Sequence, residues 1–468
     1  MSKLLKEAYS TESFVSLNQK VGKTIEQSLH TALSQEREVA KFIAAEKLYE
    51  EWKEKTSFTL DQFLNDIVAQ SVLIHHPKYI GHQVCMPLPI GTTIAELGSH
   101  LNNGMAVYEM GMAASVIDRL MIEELNPYFG YDHRSSGIFT SGGTIANITA
   151  LLCARANFDS TIWKNGNNKK IGFMVSDQAH YCIDRAVRIM GLGDDGIILI
   201  PSDKEFKADI SLLENTYQNA TEKGVTIIGI VGSAPSTATG IFDDLEAMGN
   251  FAKRYNLWYH IDAAHGGPVV LSTRYKHLMN GSELADSITV DAHKMMMMPA
   301  LTTMLLFRNH QDSYKTFAQE ASYLFGHEEW DWSNYGKRTM ECTKIMLGMR
   351  LYAAWKIYGM DIFRDNIDTC FDLAQKFFEL LQNDGDFVLP VKPQSNIICF
   401  RLKHATDSQI EQIRENLLHE GKFYVLKTKL NGITYFRCTV MNPFTEMTDF
   451  KELIESIKYF YNKLTDHV

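Results

Sequence analysis

The chain has 468 residues, 45% of them hydrophobic and 22% charged, with a formal net charge of −10. That length exceeds one simple core and predicts one large domain with one or two smaller parts. The acidic balance and the lack of any basic block exclude a nucleic-acid partner on electrostatic grounds. The longest apolar tract, 295–307, contains Pro299 and is too short to span a bilayer, so no membrane association is expected.

The N-terminus, MSKLLKEAYSTESF, has neither a long apolar core nor a small-residue cleavage site, so it is not read as a secretory signal. Residues 1–75 are predicted mainly helical, with Phe14, Val21, Ile25, Phe42, Leu48 and Trp52 among charges at spacings of three and four. An arm of this kind is expected to pack on a partner subunit. From about residue 136 the pattern changes. Strands are expected at 138–140, 171–175, 197–200, 225–231, 257–261, 287–290 and 304–307, with helices at 145–156, 179–190 and 244–255. This alternation predicts an α/β domain with a buried, mostly parallel sheet, whose ligands lie beyond the carboxyl ends of the strands. After about residue 345, helices at 345–358, 361–381 and 447–463 and strands at 396–402 and 434–441 form a separate α+β unit. The expected division is a helical arm (1–75), a large domain (76–345) and a small domain (346–468). Seven scattered cysteines (85, 153, 182, 342, 370, 399, 438) form no C-x-x-C pair, which fits a reduced cytoplasmic protein without a zinc site.

Four stretches at strand ends carry chemistry. In FTSGGTIAN (139–147) a strand stops at Ser141, Gly142 and Gly143 follow, and a helix starts at Thr144. Glycines let backbone amides approach an anion at a helix N-terminus, although a plain tight turn would look the same. The stretch lacks a Walker lysine, a third dinucleotide-fold glycine and the G-x-S-x-G of a hydrolase. In SDQAHYCID (176–184) Ser176 or Asp177 is expected to cap a helix with His180 in its first turn. His180 is then a stacking group or an ordinary helix-face histidine. In LWYHIDAAHGG (257–267) Asp262 ends an apolar strand, where a carboxylate needs a partner or serves as an N-cap. Ala263 and Ala264 leave room beside it for something flat. In VDAHKMMMMPA (290–300) Lys294 sits beside His293 and before four methionines. Apolar burial would lower its pKa and free the amine as a nucleophile, whereas a surface lysine would stay charged. The methionines read as packing filler rather than a metal site. A phosphate cradle, a stacking histidine, a buried acid and a desolvated lysine are together what pyridoxal 5′-phosphate requires, with His293 beside the phosphate.

These residues resemble the group II pyridoxal-phosphate-dependent amino-acid decarboxylases, which include glutamate, diaminobutyrate and aromatic-amino-acid decarboxylases. The matching stretches are HPKYIGH (76–82), NNGMAVYEM (102–110), TSGGTIANITALLCAR (140–155), AHYCIDRA (179–186), WYHIDAAHGG (258–267), ADSITVDAHKMM (285–296), ASYLF (321–325) and YFRCTVMNP (435–443). The resemblance implies the type I fold of pyridoxal-phosphate-dependent transferases and a homodimer with its active site at the interface. It gives phosphate binding to Ser141, Gly142, Gly143 and Thr144, ring stacking to His180, the pyridine nitrogen to Asp262 and the Schiff base to Lys294. Ala264 and His293 complete the cofactor site. Tyr323 matches the loop tyrosine that returns a proton after carbon dioxide leaves. Arg437, in YFRCTVM, either grips a substrate carboxylate or makes a strand-face ion pair. The chain departs from the family at APST (234–237), at His265 after D-A-A, and in the loop GHEEWDWSNYGKR (326–338).

His82, Gln83 and Cys85 follow the segment that lines the substrate pocket in relatives. Polar groups there disfavour an aromatic substrate and point to an acidic or small polar amino acid such as glutamate, aspartate or 2,4-diaminobutyrate. Arg437 favours an acid, while Glu328 and Glu329 would suit a diamino acid. The alternatives are an aromatic-amino-acid decarboxylase, an aldehyde-forming relative, a transaminase or carbon–carbon lyase, and a catalytically silent binding protein on the same scaffold.

Overall fold

The computed structural model describes residues 2–317 and 332–465. The chain divides into two compact units, one of residues 1–82, 373–390 and 399–468 and one of residues 83–372 and 391–398.

The second unit is built on seven strands: β1 (Ser136–Thr140), β2 (Ile171–Ser176), β3 (Ile197–Ile200), β4 (Thr226–Ser233), β5 (Trp258–Asp262), β6 (Ser287–Asp291) and β7 (Thr303–Phe307). Their order is β1-β7-β6-β5-β4-β2-β3. β7 runs antiparallel to both neighbours, and the other pairings are parallel. The sheet is therefore mostly parallel, and β1, β2, β5 and β6 all end on the same edge. β2 and β6 are buried at every position and β4 at every position after Thr226, as a sheet covered on both faces requires. Helix Gly143–Phe158 follows β1, is apolar around most of its girth, and buries every residue from Ala146 to Ala154 against the sheet.

The first unit carries a four-stranded sheet, ordered β10-β11-β9-β8, from β8 (Phe387–Val388), β9 (Ile397–Leu402), β10 (Leu426–Leu430) and β11 (Ile433–Thr439). Asn431 and Gly432 join β10 to β11 with φ of 47° and 82°, a two-residue turn that suits Asn-Gly. The N-terminal segment is tied into this unit. Val39 N–H donates to Gly421 O at 2.9 Å, and Ile80 N–H to Tyr424 O at 3.1 Å. Helices Lys3–Ala8 and Thr11–Leu33 bury only Ala32, leaving Leu4, Leu5, Phe14, Leu17 and Ile25 exposed. Among the described residues no helix is long and apolar enough to cross a membrane.

Candidate active site

A cavity of about 450 Å³ opens at the strand-end edge of the second unit. Ser141, Gly142, Gly143 and Thr144 line it, with His180, Asp262, Ala264, Asp291, His293, Lys294 and Gln83. Gly142, at φ 107°, is the N-cap of helix Gly143–Phe158, in a backbone region that favours glycine. The helix therefore presents free N–H groups and the positive end of its dipole to the cavity.

Lys294 follows β6 in a tight turn. Its N–H donates to Asp291 O at 3.1 Å, and Met297 N–H returns to Lys294 O at 3.1 Å. Lys294 Nζ lies 2.9 Å from Asp291 Oδ2. Asp291 is itself buried, accepts from Thr303 Oγ1, and has His293 Nε2 at 3.6 Å. Across the cavity Asp262 accepts from Ala264 N–H at 3.2 Å and from Asn147 Nδ2 at 2.9 Å. An ammonium, a carboxylate that can face a ring nitrogen, and a helix N-terminus thus share one enclosed space.

A family model described as the pyridoxal-dependent decarboxylase conserved domain matches residues 56–403. The chain belongs to the pyridoxal-dependent decarboxylases. It is a carboxy-lyase with pyridoxal phosphate as its cofactor. It is 29% identical over 451 residues to an aspartate 1-decarboxylase of Aliivibrio fischeri, covering 85% of this chain and 81% of that one. It is 25% identical over 434 residues to an L-2,4-diaminobutyrate decarboxylase of Acinetobacter baumannii, covering 88% and 85%. Among solved structures, mouse CSAD in apo form superposes with a TM-score of 0.90 at 21% identity, covering 96% of this chain and 99% of that one. This likeness supports the type I fold.

The residues of this decarboxylase fit its cofactor: the cavity has a helix N-terminus that suits an anion, a lysine side chain and a small-residue wall at Ala264. Three details differ from the sequence expectation. Lys294 is half-buried, yet its pKa is raised. Burial pulls it down, but the Asp291 carboxylate, with Asp262 and Cys182 behind it, outweighs that pull. The apolar methionines, all buried, do not neutralise the amine because a carboxylate three residues earlier holds its charge. Next, the helix after β2 begins at Tyr181, and His180 is its N-cap, with Nδ1 accepting from Cys182 N–H at 3.3 Å. That bond leaves Nδ1 unprotonated, and burial, with Lys294 nearby, lowers the His180 pKa. Finally, Cys85 does not line the cavity. Its buried thiol lies 3.1 Å from His293 O and 3.4 Å from Met298 O, so it ties its own segment to the lysine turn.

His265 lines the cavity in place of an aromatic residue, with Nε2 2.7 Å from Asn396 Oδ1. Pro235 and Thr237 of the APST stretch line it too. His82 and Arg437 belong to the first unit. Arg437 is buried on β11, opposite Leu426, and burial lowers its pKa. Tyr323 lies outside the described residues. Asn147, Asp291 and Arg185 also line the cavity, although sequence reasoning assigned them no role. Asn147 stood within the glycine stretch, one helical turn beyond Gly143, where its facing could have been read.

Proposed function

We propose that this decarboxylase removes the α-carboxylate of a short acidic L-amino acid, with aspartate foremost. The observation that carries the reading is the convergence of Lys294, Asp262 and the Gly142 helix cap on one cavity. The names of two relatives support the substrate, the aspartate 1-decarboxylase and an L-aspartate decarboxylase of Metarhizium robertsii, 28% identical over 349 residues. The polar part of the lining, Gln83, Thr237 and the exposed Arg185, gives an acidic side chain donors.

The roles divide as follows. Ser141, Gly142, Gly143 and Thr144 would hold the cofactor phosphate on their backbone donors, with His293 beside them. Lys294 would supply the amine that holds the cofactor. His180, oriented by its cap bond, would lie against the ring face, and Ala264 would bound the other side. Asp262 holds a proton on the ring nitrogen. Once bound, the cofactor supplies an electron sink for the pair released as carbon dioxide leaves. Tyr323 is assigned the returning proton on the strength of the ASYLF match, and Tyr323→Phe is expected to slow amine formation and raise the aldehyde yield. Gln83 contacts the substrate side chain. His82 and Arg437 keep the substrate role that the family resemblance gives them.

We also infer a homodimer in the cytoplasm. The apolar residues exposed on helices Lys3–Ala8 and Thr11–Leu33 support the dimer, and sedimentation as a monomer would contradict it. The substrate is tested by carbon dioxide release, with added pyridoxal phosphate, from aspartate, glutamate, cysteine sulfinate, 2,4-diaminobutyrate, ornithine, tyrosine and tryptophan. Release led by aspartate is expected. Release led by tyrosine or tryptophan would overturn the substrate assignment.

A further inference from the structure

Behind Asp262 lies a buried polar chain. Trp258, His260 and Asp262 alternate along β5, so their side chains share one face. His260 stands opposite Ser287 in the β5–β6 register. Helix Gly143–Phe158 packs over this face and brings Asn147 onto it. Trp258 Nε1 lies 3.0 Å from Ser287 Oγ, and His260 Nδ1 lies 2.8 Å from the same oxygen. His260 Nε2 lies 3.0 Å from Asn147 Oδ1, and Asn147 Nδ2 lies 2.9 Å from Asp262 Oδ2. Asn147, His260 and Ser287 are at most 1% exposed.

The chemistry of the groups sets the direction of the bonds between Asp262, Asn147 and His260 Nε2. An ionised carboxylate only accepts, so the Asn147 amide must turn its Nδ2 to Asp262. Its Oδ1 then faces His260 and needs a donor, which places the ring proton on Nε2. Nδ1, which also lies 3.2 Å from the Ser287 carbonyl oxygen, is left bare and takes the Ser287 hydroxyl proton at its shorter contact, and the hydroxyl oxygen takes the indole N–H. All four donors therefore point toward Asp262. The ring can hold this tautomer because burial drives the His260 pKa down to about 4. Other titratable groups around Asp262 are His180, Cys182, Asp291 and Lys294. The Cys182 thiol, 3.2 Å from Asn147 Nδ2, is pushed up to about 12 and stays protonated.

We propose that Asn147 and His260 are positioning residues that aim Asp262, setting how firmly the cofactor's ring nitrogen stays protonated. This rests on the reading that Asp262 faces that nitrogen. Hydrogen bonds to the charged form stabilise a carboxylate, and oriented chains in a low-dielectric interior reinforce one another. A misaimed Asp262 would lose the contact with the ring nitrogen.

The test is a pH titration of the cofactor's visible absorbance in the holoenzyme for wild type, Asn147→Leu, Asn147→Ser, His260→Leu, His260→Gln and Asp262→Asn. Asn147→Leu and His260→Leu are expected to move the midpoint by about half a unit or more, in the direction of Asp262→Asn, and to lower kcat about tenfold with KM little changed. His260→Gln, which can still donate to Asn147, is expected to recover most of both. Asn147→Ser removes the donor with less steric change and stands in if the leucine variant does not fold. A shifted Asp262→Asn with unshifted Asn147 and His260 variants would overturn the proposal and leave the Asp262 reading intact. An unshifted Asp262→Asn would overturn that reading, and this proposal with it.

Discussion

The second unit contains two lysine–aspartate pairs with the same 2.9 Å separation, the half-buried Lys294–Asp291 and the fully buried Lys344–Asp118. Lys344 and Asp118 are 1% and 0% exposed. Asp118 also accepts from Gly348 N–H at 3.0 Å, and Lys344 Nζ lies 4.2 Å from the Tyr335 ring centre. This pair meets packed protein on every side that the contacts describe. Lys294 Nζ instead borders a cavity shared with Asp262 and a helix N-terminus. The two aspartates shift in opposite directions. Burial pushes Asp118 up despite Lys344, whereas for Asp291 the burial effect is overcome by Lys294, His293 and Thr303 together. A buried ion pair is thus no mark of a site by itself. The mark is a reactive group that faces space together with its chemical partners.

Single substitutions can break this contrast. Lys294→Ala is expected to lower decarboxylation by roughly 10⁴-fold or more while thermal melting survives, as read by carbon dioxide release and circular dichroism. Lys344→Ala should do the reverse. It leaves Asp118 buried without its cation, which costs about 3–5 kcal/mol in denaturant unfolding, with turnover per folded molecule preserved. Equal activity losses in the two variants would erase the distinction.

His260 sharpens the comparison through pH. Its folded pKa, lowered from 6.5 to about 4, means that the unfolded chain binds the extra proton between those values. Its contribution to stability is present above pH 6.5 and is lost as pH falls toward 4. Wild type should therefore lose up to about 3 kcal/mol more than His260→Gln between pH 7 and pH 4 in urea melts. Parallel curves would show that the ring is not held neutral. Asp291→Asn is the smallest expected change. Without the carboxylate, burial governs Lys294, and the pH midpoint for pyridoxal phosphate capture by the apoenzyme should fall by about one unit. An unmoved midpoint would show that Asp291 does not hold the lysine's charge.

Much of this was legible in the sequence, because apolar runs announce buried strands and strand ends announce the site. Strand 197–200 was expected with the observed bounds, and β5 and β6 end at Asp262 and Asp291, one residue past their expected limits. Helices Pro89–Leu101, Tyr108–Leu125, Leu213–Glu222 and Asp407–Glu420 were not anticipated, nor were β8 and β10. β10 reads LKTKL, whose outward lysines hide the alternation, although the Asn-Gly that follows is a hairpin signal. At the site, strand periodicity gave Asp262 its place but said nothing of Asn147, which arrives from another element. The charge of Lys294 depends on a turn that folds it back onto Asp291. The direction of the Cys85 thiol depends on backbone carbonyls more than 200 positions away in the chain. Such facts belong to tertiary packing, and local pattern carries no record of them.

The central claim is that Lys294, and not Lys344 or any other amine, holds the cofactor. The direct measurement is hydride reduction of the pyridoxal-phosphate-loaded enzyme, followed by proteolysis and mass spectrometry of the peptides. The account predicts one phosphopyridoxyl group, on Lys294, and none on Lys344. A label on any other lysine, with Lys294 unmodified, would contradict it.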